Sequence, residues 1–134
     1  MTEIPLEKHG GVYELPVKIN GVLTLNFILD TGTSEVHIPA NVALTLLRTG
    51  TINSTDFLPG KTYRLADGSI VKSSRLILRK LEIRGVKVSQ VPASIGSAEA
   101  SLLLGQSFLA RLELWALDNK RNVLFIKGAA DHAK

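Results

Sequence analysis

The residues best suited to chemistry stand together at Asp30-Thr31-Gly32-Thr33-Ser34, directly after the apolar run Phe27-Ile28-Leu29. That run reads as a buried strand end. A carboxylate set straight after it lies at the rim of a core and needs partners. Thr31, Thr33 and Ser34 can donate hydrogen bonds to it or brace a neighbouring strand. Gly32 permits a sharp turn and a close approach by another group. A carboxylate held this way can act as a general acid or base. The same tripeptide also serves as an Asx-type turn, with Asp30 satisfying local amides.

Other candidates are poorer. His9, His37 and His132 are spread along the chain without metal-ligand spacing. There is no cysteine, so neither a disulfide nor a thiolate metal site can form. Trp115, the single tryptophan, reads as packing in a core or between chains. Arg75, Arg79, Lys80 and Arg84 read as a solvated face, with an interface as the alternative.

The elements that must position Asp30 are short strands. Val12, Leu15, Val17 and Ile19 alternate loosely, and Asn20-Gly21 is a strong hairpin signal. Val22 to Leu29 returns as the second strand and delivers Asp30 to its loop. Val36 to Pro39 resumes an extended path, and Asn41 to Leu47 is apolar at helical spacing after Pro39. Thr49 to Gly60 reads as a loop. Asp67-Gly68 joins two strand-like runs as a projecting hairpin with a small tip. Leu76 to Ile83 and Val86 to Ala93 follow as strands around Gly85. Leu102 to Leu104 is a short apolar strand closed by Gly105, and Gln106 to Leu112 has the spacing of a brief helix. Glu113 to Leu117 and Asn122 to Lys127 form the last strands around a turn at Asp118. Met1 to Lys8 reads as a mobile arm or an edge strand. The expected organisation is a flexible arm at 1–10, one domain at 11–128 and a polar tail at 129–134.

The 134 residues suit a single domain with a real core, and 45% hydrophobic content excludes a disordered chain. Eleven glycines and five prolines punctuate short apolar runs, which favours an all-β fold. The net charge of +4 is scattered, and aromatics are only 5%, so a solvated basic surface is expected rather than nucleic-acid binding. No stretch is long and apolar enough for a membrane helix, and the first residues lack the form of a signal peptide.

Taken in order, three features resemble the retropepsin-like aspartic proteases, single-lobe relatives of pepsin. Ile28 to Ser34 is similar to the catalytic loop of that family. Leu103-Leu104-Gly105-Gln106-Ser107-Phe108-Leu109 resembles its second hallmark, and Ala66-Asp67-Gly68-Ser69 falls where its flap tip lies. The wording from Leu104 to Leu109 resembles bacterial members more than retroviral ones. Asp67 departs from the glycine-rich retroviral flap.

The resemblance implies an all-β closed barrel of the acid-protease type, with a flap hairpin and one short C-terminal helix. It implies peptide-bond hydrolysis through two aspartates and an activated water, without a covalent intermediate and without a cofactor or metal. This chain has one Asp-Thr-Gly, so an active enzyme needs a homodimer in which each chain gives Asp30. Thr31 would brace the two loops, Gly32 would let the loop lie flat beneath the substrate, and Thr33 would hydrogen-bond the outer carboxylate oxygen and fix its orientation. Ala66, Asp67, Gly68 and Ser69 would cover an extended polypeptide substrate, and Leu104 and Gly105 would support the catalytic loop. No nucleic-acid or membrane partner is expected of this segment. Its localisation stays open, because a piece of a larger or membrane-anchored bacterial protein would read the same. The alternative function is a non-catalytic module of the same fold that grips peptides or pairs chains.

Overall fold

The computed structural model describes residues 1–64 and 66–129, and for residues 61–63 and 71–73 the backbone alone. His132 and nearly all of the polar tail lie outside the described residues. The fold is mostly β, at 53% strand, with a closed six-stranded barrel and, among the described residues, one helix of seven residues or more. This is the expected architecture.

The strands are β1 (Thr2–Pro5), β2 (Glu7–His9), β3 (Val12–Ile19), β4 (Leu23–Leu29) and β5 (Val36–Pro39). Helix α1 (Ala40–Arg48) and a 3-10 turn (Ser54–Asp56) follow. Then come β6 (Phe57–Arg64), β7 (Ile70–Ile83), β8 (Val86–Gly96), β9 (Leu103–Leu104), α2 (Gln106–Leu109), β10 (Leu114–Asp118) and β11 (Val123–Lys127). The larger sheet runs β2-β3-β4-β9-β5-β8-β7-β6, and pairing of β3 with β7 closes it. A three-stranded sheet, β1-β11-β10, stands beside it.

Turn chemistry sets the hairpins. Asn20 and Gly21 take φ of 51° and 72°, and the Val22 N–H closes on the Ile19 carbonyl at 3.0 Å. These are the left-handed values a tight hairpin turn requires. Asn20 also binds outward: its Nδ2 donates to the Thr51 carbonyl at 2.8 Å, and its Oδ1 accepts from the Lys80 N–H at 3.0 Å. The β3–β4 turn is thereby tied to β7. Arg84 and Gly85, at φ of 47° and 83°, turn β7 into β8 in the same manner.

Alternation in β3 sends Leu15, Val17 and Ile19 inward, where they meet Phe27, Ile38, Leu76, Leu78 and Phe108 in one buried core. Burying each such side chain contributes about 1.5–3 kcal/mol before entropy is counted. Trp115 is half-buried against this core, in keeping with a packing role.

One reading of the sequence narrows and one changes. The first residues take the edge-strand form: β1 pairs antiparallel with β11, Ile4 is buried, and the Leu6 N–H donates to the Asn122 carbonyl at 2.8 Å. Ile4 and Leu6 give that segment an apolar face to bury. Arg75 is not on a solvated face. It lies in a largely buried ion pair with Glu35, a partner forty residues away that no local pattern reveals. Arg79 is also engaged, with Asp56 at 3.2 Å and the Thr51 carbonyl at 2.9 Å.

Candidate active site

Asp30 leaves the end of β4 where that strand is held from both sides. On one side β3 pairs antiparallel with it, Glu14 facing Ile28. On the other side β9 pairs in parallel, with Leu104 beside Leu29. The Ile28 N–H donates to the Leu102 carbonyl at 2.8 Å, and the Asp30 N–H to the Leu104 carbonyl at 3.1 Å. The short apolar strand before Gly105 is therefore what fixes the height of Asp30.

The loop turns tightly on itself. The Gly32 N–H donates to Asp30 Oδ1 at 3.1 Å, and the Thr33 N–H to the Asp30 carbonyl at 3.4 Å. Asp30 is half-buried, whereas Thr31 and Gly32 are exposed. Gly32 is not in the left-handed region, so its backbone does not demand glycine. A Cβ there would lie 3.5 Å from Asp30 Oδ1, in ordinary contact. What glycine leaves open is the space beside the carboxylate.

Gly105 is the opposite case. A Cβ would fall 2.5 Å from Thr33 Cγ2, 2.6 Å from the Glu35 carbonyl oxygen and 2.8 Å from the Thr33 carbonyl oxygen. The loop rests directly on this residue. Beyond it, the Gln106 N–H donates to the Thr33 carbonyl at 2.9 Å, and Gln106 Nε2 to the Thr31 carbonyl at 2.8 Å. Ser107 Oγ accepts from the Val36 N–H at 2.8 Å and donates to the Pro92 carbonyl at 2.7 Å. Gln106 and Ser107 thus hold both ends of the catalytic-loop candidate. The sequence places them after Gly105 but gives them no role; a polar pair opening a helix beside a glycine-closed strand is the available signal.

The hairpin of β6 and β7 carries Ala66, Asp67, Gly68 and Ser69 at its exposed tip. Gly68 has φ of 88°. Asp67 Oδ1 accepts from Ser69 Oγ at 2.6 Å and from the Ser69 N–H at 2.9 Å. The Ser69 hydroxyl, then its amide, hold the Asp67 carboxyl below its ordinary pKa. Hydrogen bonds to the charged form favour that form. The ordering this adds to the tip is present above Asp67's unfolded pKa and is lost as pH falls through the lower folded value. In Ser69→Ala the Asp67 carboxyl should titrate upward, toward its ordinary value, in an NMR pH series. An unchanged titration would remove the side-chain bond as the cause.

Asp118, the late-turn carboxylate, is engaged locally: it caps its own turn, accepting from the Lys120 and Arg121 N–H groups at 2.9 and 3.0 Å. Among the described residues, no three His, Asp or Glu side chains group as a metal site. No helix there is long and apolar enough to cross a membrane.

A family model described as "gag-polyprotein putative aspartyl protease" matches residues 15–111. Among solved structures, a retropepsin-like aspartic protease from Rickettsia conorii has a similar fold, with a TM-score of 0.71 at 22% identity. The match covers 96% of this chain and 91% of that one. No curated protein matches the chain.

Proposed function

Since the chain belongs to this gag-polyprotein aspartyl protease family, we propose that it cleaves polypeptides as a homodimer, each chain giving one Asp30 to a shared dyad. The observation that carries the reading is the placement of Asp30, the carboxylate of the chain's one Asp-Thr-Gly. It is held by the Gly32 N–H on a loop whose outer residues, Thr31 and Gly32, face solvent in the single chain. A two-fold axis beside that loop would set Asp30 against its own copy.

Two carboxylates so placed cannot both ionise cheaply and would share a proton. The ionised one takes a proton from water as it attacks the scissile carbonyl carbon. The protonated one donates to the carbonyl oxygen, and the dyad then returns a proton to the leaving amine. Thr31 braces one loop against the other, and Thr33 holds the outer carboxylate oxygen in the dimer. Ala66 to Ser69 close over an extended peptide, whose backbone pairs with the hairpin as a strand would.

The test is dilution. Cleavage of a mixed peptide library should fall faster than protein concentration as the dimer dissociates, approaching the square of concentration once most chains are monomeric. Strict proportionality down to full dissociation, measured by analytical ultracentrifugation, would sink the shared dyad. Binding of peptides without cleavage at any pH would favour a peptide-gripping module instead.

A further inference from the structure

The β6–β7 hairpin leaves the barrel at a definite level. Toward its tip, β7 pairs with β6 alone from Ile70 to Ser73; from Ser74 onward β8 joins it, Ser74 facing Ile95 and Arg75 facing Ser94. On the opposite strand the register shifts between Leu58 and Lys61, across Pro59-Gly60. A bulge bends a strand and weakens the ladder locally. The end of β8 and the bulge of β6 therefore fall at one height, which makes that height the pivot of the hairpin.

A side-chain cluster stands at the same height. Arg75 Nε donates to Glu35 Oε1 at 3.1 Å, and Arg75 Nη2 to Glu35 Oε2. Ser94 Oγ donates to Glu35 Oε1 at 2.7 Å. The Glu35 and Arg75 side chains are only 12% and 16% exposed. Glu35 follows Ser34, at the exit of the Asp30 loop, and its carbonyl oxygen lies against Gly105. A two-point guanidinium–carboxylate contact fixes angle as well as distance, unlike a single ion contact. One carboxylate thus joins the end of the Asp30 loop to β7 and β8 at the level of the pivot.

We propose that Glu35, Arg75 and Ser94 form a clamp that sets the pivot of the hairpin and its reach over Asp30. These are positioning residues: they act through the hairpin and the loop. The proposal rests on the proteolytic reading for its effect on turnover, but the clamp itself does not need that reading.

The experiment is amide hydrogen exchange on the full chain, comparing wild type with Glu35→Gln, Arg75→Lys and Ser94→Ala. Exchange in residues 57–64, 70–75 and 31–36 should quicken roughly tenfold or more in the first two, and less in Ser94→Ala, while the β1-β11-β10 sheet keeps its protection. In a protein that cleaves peptide, KM should rise together with a fall in kcat, because both hairpin and loop are displaced. Unchanged exchange in the hairpin, or an equal increase across the whole fold, overturns the clamp. Should Glu35→Gln fail to fold, Ser94→Ala decides, since it removes one hydroxyl and leaves the ion pair. A wild type that cuts no peptide overturns the proteolytic reading alone, and the exchange pattern still judges the clamp.

Discussion

Asp30→Asn is expected to abolish peptide cleavage while leaving the melting temperature nearly unchanged. The replacement keeps the shape and still offers an oxygen to the Gly32 N–H, 3.1 Å from Asp30 Oδ1. What it removes is the ability to take a proton from water. Loss of a positioned general acid–base lowers rate by roughly 10²–10⁴-fold. The proposed dimer predicts a sharper signature. Equal amounts of wild type and variant, allowed to exchange subunits, should form mixed dimers with a single carboxylate. Only wild-type pairs would cut, so adding variant at a fixed amount of wild type should reduce activity to about half. No reduction on mixing, with exchange verified by mass, would mean that each chain carries a complete site. Full activity in the variant alone would assign the cleavage to a contaminant.

Gly105→Ala should be strongly damaging for a single added methyl. Two of the three atoms its Cβ meets, at 2.6 and 2.8 Å, are carbonyl oxygens of Glu35 and Thr33. Backbone cannot turn aside as a side-chain end can. Overpacking of this kind costs about 1–3 kcal/mol, and the upper end is expected here. Displacement should begin at the Asp30 loop, which meets the strand before Gly105 through the Asp30 N–H and the residue after it through the Thr33 carbonyl. Activity should therefore fall further than stability does. Gly32→Ala is the informative contrast, because its Cβ has ordinary room and its φ suits an L residue. Its stability should stay within about 0.5 kcal/mol of wild type. Chemical denaturation of both variants checks the ranking, and equal stabilities would refute this account of Gly105.

The sequence by itself determined the features whose cause is local. Asn20-Gly21, Gly68 and Gly85 are legible at turns because left-handed φ values favour glycine and asparagine wherever they stand. Alternation in β3 marks its buried face. An apolar run ending in Asp-Thr-Gly, with Leu-Leu-Gly far downstream, carried the family resemblance and the barrel with it. Tertiary structure decided what depends on partners distant in sequence. Arg75 looks like one charge of a solvated row until the fold brings Glu35 and Ser94 to it. Ile4 looks like part of an arm until β11 supplies its ladder. Gln106 and Ser107 look like a plain helix start until their bonds to the Asp30 loop and to Val36 are seen. Gly32 and Gly105 read alike as glycines, yet only Gly105 is pressed against backbone. Turn preferences act over two or three residues. Burial and pairing are set by chain closure over forty residues, as for Glu35 and Arg75, up to the whole span from Ile4 to Leu124, and no local pattern encodes which distant group arrives.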